Sequence, residues 1–158
     1  MHLERKLVVT SFVLLGILFV SGYIAGLRTD SPVSTEVLTL GSREVRVEVM
    51  SDEESRARGL SGRPSLAEGA GMLFAFDSSD LWGIWMKDMR FSIDIIWLDS
   101  TGTIVSVEKN VSPDTYPKIF FPTKRSRYVL EVPAGVFEVS GARIGGSVVL
   151  PESLRTKK

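Results

Sequence analysis

The chain has 158 residues, with 19 Lys and Arg against 19 Asp and Glu, no Cys and a single His. That length is one domain's worth, and a formal charge of zero leaves none of the basic excess that holds nucleic acid. With His2 at the extreme N-terminus, disulfides, Cys or His metal sites and Ser-His-Asp triads are excluded from the globular part, and no cofactor motif is present.

From Leu7 to Leu27 the chain runs without a charge, just after Arg5 and Lys6. A bilayer core takes roughly 20 apolar residues as a helix, whereas the apolar part of a cleaved signal is usually ~7 to 15. The stretch therefore predicts a single-pass transmembrane helix or signal anchor over 7–27. The positive-inside rule leaves 1–6 in the cytoplasm and places everything after Leu27 on the outer, extracytoplasmic side. Small residues at Ser21, Gly22, Ala25 and Gly26 allow the alternative, signal cleavage and secretion. A polar tether over 28–36, an extracytoplasmic β domain over 37–151 and a polar tail over 152–158 complete the division.

The outer domain opens with Val45, Val47 and Val49 alternating with Arg46 and Glu48, the period of a half-buried strand. A turn at Gly41 and Ser42 folds Val37 to Leu40 back as its hairpin partner. Ser51 followed by Glu54 reads as a capping box that starts a short helix, which Gly59 ends. Arg56 and Arg63 flank the turn at Gly59 and Gly62, which offers them to an anion or leaves them on a solvated face. Met72 to Phe76 reads as a buried strand, and Thr103 to Glu108 as an alternating one. Lys109 to Arg127, with three prolines and no period, is a long loop that is either a lid or an edge cover. Tyr128 to Pro133 is the next strand, Ala134 to Gly141 a turn or short helix, and Ser147 to Leu150 a closing strand. The fold class expected is mainly β, a compact sandwich or barrel-like domain with one or two short helices.

All three Trp lie between Gly71 and Asp99. The strand Phe91 to Leu98 is apolar on both faces, with Phe91, Ile93, Ile95 and Trp97 on one and Asp94, Ile96 and Leu98 on the other. Both faces are then covered, and a carboxylate at Asp94 needs a partner. Antiparallel pairing of 84–88 with 93–97 sets Lys87 opposite Asp94, on a face shared with Trp85. Glu131, opposite in facing to Leu130 and Val132, is a further member. Arg56, Arg63, Trp82, Trp85, Lys87, Asp94 and Glu131 form the candidate ligand-binding set, with an ion pair that merely fixes hairpin register as the alternative. Asp94 and Asp99, five apart on one strand, face opposite ways and do not make an acid and base pair.

Taken in order, the blocks ESRARGLSGRPSL, GMLFAF, IWMKDMRFSIDIIWLD, GTIVSVEKNVSP, YVLEVPAG and IGGSVVL resemble the uncharacterised family called domain of unknown function 192, from about Val45 to Leu150. The resemblance implies a compact, mainly β domain, often behind a signal or membrane segment, with no established activity. Asp88 stands where the family often has Asn, and Gly145 with Gly146 where it often has Gly-Asp. The lost Asp implies weaker binding of any ligand it holds in relatives. The function expected is an envelope-facing binding or interaction module for a small polar ligand, glycan or partner protein. The alternative is a hydrolase or lyase using Lys87 and Asp94 as acid and base.

Overall fold

The computed structural model describes residues 34–155. Eight strands form in chain order: β1 (Ser34–Leu40), β2 (Arg43–Met50), β3 (Ala70–Asp80), β4 (Ile84–Trp85), β5 (Ile93–Leu98), β6 (Ile104–Val111), β7 (Ile119–Phe120) and β8 (Ser126–Pro133). Helices are short: α1 (Glu53–Arg58), α2 (Val136–Val139) and α3 (Glu152–Arg155), with one 3-10 turn at Pro113–Thr115. Six strands make a single mixed sheet in the order β1-β2-β3-β8-β5-β6, while β4 and β7 pair as a separate two-stranded arm. The domain is thus mainly β with a few short helices, and the sheet does not close into a barrel.

The β1–β2 hairpin forms in the expected place, turning at Gly41 and Ser42 with Leu40 opposite Arg43. Gly41 is held there by its backbone, since φ is +58° and an added Cβ would lie 2.2 Å from the Ser140 carbonyl oxygen. The helix cap shifts by one residue from the predicted box. Asp52, not Ser51, is the N-cap, and its carboxylate accepts from the Ser55 N–H at 2.8 Å. Either side chain is a competent cap, and an ionised one also complements the positive end of the helix. Gly59 ends α1 as expected. The crossover through α1 makes β3 parallel to β2, with Met50 beside Phe74.

Period-two alternation sends each strand's side chains to two separate cores. One face gathers Leu38, Val47, Leu73, Ile96, Leu130 and Val132, closed by Phe137 of α2 and by Val148 and Leu150. The other gathers Met72, Phe74, Ile93, Ile95, Trp97 and Val129, closed by Leu60, Met86 and Phe120. Every residue of β5 is buried, as its two apolar faces required. Ser147 and Val149 make isolated bridges to Thr103 and Thr39 where a closing strand was expected. The described part of the tail is the one-turn α3, tied back by the Tyr128 hydroxyl to the Leu154 carbonyl and by the Ser153 hydroxyl to Glu36.

One expected pairing differs. β5 pairs with β8 and β6, leaving no edge for 84–88, and β4 pairs instead with β7, Trp85 opposite Ile119. The long loop therefore carries a strand, with Phe120 buried and Tyr116 6.0 Å from Trp85 between ring centroids. Among the described residues no helix is long and apolar enough to cross a membrane. The predicted span 7–27 lies outside them.

Candidate functional site

A cleft of about 570 Å³ opens on the second face of the sheet, between α1, β3 and the segment from Trp82 to Met89. Its shape comes from a break in β3. Ala75 pairs with Tyr128 and Asp80 with Ser126, so four residues of β3 bulge out opposite Arg127 alone. The carbonyls this frees are taken by side chains: Arg56 donates to Ala75, Arg127 to Phe76, Trp82 to Ser78 and Arg125 to Ser79. The bulge lifts Phe76 against Trp82, whose rings stack at 4.0 Å and 7°. That stack forms one wall, and the Trp82 carbonyl in turn accepts from the Trp97 indole N–H at 2.8 Å, fixing the wall to the core.

Glu131 lines the cleft from β8. Its cross-strand neighbours are Met72 on β3 and Ile95 on β5, both wholly buried and apolar. The residue is 5% exposed. Among the described residues no hydrogen bond or ion pair reaches its carboxyl. Burial accordingly pushes that carboxyl up to about 8, so that it stays protonated at neutral pH.

Of the predicted site residues, the structure brings Arg56, Trp82, Trp85 and Glu131 to this cleft. Arg56 is half-buried and committed internally, donating to the Ser51 and Ala75 carbonyls with its guanidinium 5.1 Å from the Phe76 ring centre. Trp85 is half exposed at the rim.

The other three lie elsewhere. Arg63 pairs with Glu48 through two contacts of 2.6 Å, and the Arg63 hydrogen bonds hold Glu48 below the usual carboxylate range. Lys87 is exposed, with its ammonium 5.6 Å from the Trp85 ring centre. Asp94 does not pair with it. Asp94 is wholly buried on the opposite face of the sheet and accepts from the Asn110 N–H at 2.8 Å and the Phe137 N–H at 2.9 Å. A bulge makes the first bond possible: Lys109 and Asn110 together oppose Asp94, and Asn110 takes the left-handed φ of +52°. The Asp94 carboxyl is thus satisfied by main-chain donors, and no floor shared by Lys87, Asp94 and Glu131 exists.

Phe74, Phe76, Leu60 and Met89 also line the cleft and were missed in the sequence. The signal was present, because Phe74 and Phe76 alternate in GMLFAF and so share a face. Asp88, at the family's usual Asn position, adopts φ +56°, a conformation Asn favours, and its carbonyl accepts from the Gly62 N–H. Gly145 and Gly146 do not line the cleft.

Comparison with known proteins adds the following. The model of the family described as Uncharacterized ACR, COG1430 (DUF192) matches residues 36–150. A crystallised protein of Sinorhizobium meliloti 1021, provisionally named a transcription regulator, is similar at 27% identity and a TM-score of 0.71, over 75% of this chain and 95% of its own. A protein of unknown function from Novosphingobium aromaticivorans DSM 12444 shares the fold at 21% identity and a TM-score of 0.71, over 79% and 91% of the two chains. A comparison with curated proteins finds no match.

Proposed function

This chain belongs to the DUF192 family, and from that starting point we propose that its domain is a binding module whose cleft takes a small ligand with an apolar or aromatic body and one polar head. The observation that carries the reading is Glu131: a largely buried carboxyl that no described residue partners, opening onto the floor of an aromatic-walled cleft of ligand size. Binding sites for small molecules are mostly apolar with a few placed polar groups, and a buried polar group without a partner is costly unless something supplies one. The acid–base alternative built on Lys87 and Asp94 has no shared site to work in. We further propose that the module is held on the outer side of a membrane by residues 7–27, on the length of that stretch and its Arg5 and Lys6 flank.

Native mass spectrometry of the purified full-length chain tests the cleft. A small molecule should co-purify and be lost from Ala57→Trp, a change on the exposed side of α1 that projects into the cleft. Retention of the same bound mass by that variant would place the ligand elsewhere and reject the reading. For topology, protease added to spheroplasts should digest the domain, and complete protection would reject the outer location.

A further inference from the structure

The cleft is chemically one-sided, and this deepens the binding reading on which it rests. Its charged groups come from two elements. Glu53, Arg56 and Arg58 face it from α1, and Glu131 faces it from β8. β3 and the segment from Trp82 to Met89 present aromatic and aliphatic side chains and Gly83, and β5 meets Glu131 with Ile95. Arg56 is spent on two carbonyls and the Phe76 ring, and Arg58 lies 3.4 Å from Glu54. Neither reaches Glu131, on which burial alone acts. The floor therefore holds an anion-forming group that no described residue pairs with.

We infer that the cleft is a site for ligands carrying a positively charged nitrogen, which ion-pairs with the Glu131 carboxyl while the ligand's apolar body lies against Phe74 and Trp82. A neutral acceptor would gain one hydrogen bond from the protonated acid. A cation gains the carboxylate itself in a charge-assisted hydrogen bond at the floor of the cleft. Because Glu131 is protonated when alone, a bound cation displaces its proton to solvent, and affinity rises with pH up to the titration of the free site.

Benzylammonium, with benzyl alcohol as its uncharged counterpart, tests this on the full-length chain in detergent micelles. Indole N–H signals of Trp82 and Trp85 report occupancy, and the side-chain carboxyl carbon of Glu131 reports ionisation. Benzylammonium should shift both indoles and lower the Glu131 midpoint by about one pH unit. By linkage it should then bind roughly tenfold more tightly to the ionised site than to the protonated one. Glu131→Gln should remove its preference over benzyl alcohol. If that variant fails to fold, the midpoint in the parent protein decides alone. Benzyl alcohol binding as well as benzylammonium, or a midpoint that rises, would overturn the inference and leave the binding reading standing. Indole signals unmoved by both probes would overturn the two together.

Discussion

Asp94 and Glu131 lie on neighbouring strands, one register position apart, and the sheet sends them to opposite faces. Asp94 is wholly buried with two main-chain N–H groups on its oxygens, so its carboxyl is satisfied by the fold itself. Glu131 is nearly as buried, yet among the described residues nothing donates to it, and its side of the sheet is split by a cleft. Two carboxyls of similar depth thus differ in whether the fold satisfies them.

Five substitutions probe that contrast. Asp94→Ala strips acceptors from the Asn110 and Phe137 N–H groups and hollows the core, at a cost of ~3 to 5 kcal/mol. Urea unfolding should show the loss, and a change below ~1 kcal/mol would mean that the two bonds contribute little. Glu131→Gln should act in the other direction. Its folded pKa of about 8 lies above the ordinary 4.5, so between those values the unfolded chain ionises while the native one holds its proton. Stability therefore falls as pH rises from 4.5 to 8 and levels off above. Removing the acid should flatten this slope and stabilise the protein by on the order of 2 kcal/mol at neutral pH. Parallel pH profiles for parent and variant would show that folding does not raise the Glu131 pKa.

Smaller effects come from the surface. Arg63→Ala should cost about 1 kcal/mol, since its bidentate pair with Glu48 is about one-third exposed and screened by solvent. Glu48 is depressed by that pair, so the contribution is present above the ordinary glutamate pKa and is lost as pH falls through the folded value. Acid titration of stability should separate it from the Glu131 slope, which lies at higher pH. Lys87→Met should stay within ~0.5 kcal/mol and add to Asp94→Asn without coupling in a double-mutant cycle. A coupling above that size would restore the rejected ion pair.

Much of this was legible in the residues. Period two assigned Ile93, Ile95 and Trp97 to one face, Asp94, Ile96 and Leu98 to the other, and Glu131 away from Leu130 and Val132, all as the structure has them. It also required that Asp94 have a partner. What pattern does not encode is who that partner is, because the donors are main-chain N–H groups of Asn110 and Phe137, and every non-proline residue carries one. Sequence proximity pointed to Lys87. The true neighbour strand is β8, which arrives later in the chain and takes the edge that a local hairpin would have used. The cleft was half legible for the same reason: Trp82, Trp85 and Glu131 are named by residue type, whereas the bulge that gathers Phe76 beside Trp82 is a register event between distant strands.

The position of β8 bears finally on how the molecule is made. A nascent chain released only as far as residue 125 holds β1, β2 and β3 on one side and β5 and β6 on the other, with no edge in common. Neither fragment can complete a core, and each exposes a strand edge open to pairing with other chains. The sheet is continuous only once Ser126–Pro133 lies between them, a non-local pairing of the kind that slows folding. The last strand of the sheet to be synthesised is the one that turns two templates for aggregation into a single domain.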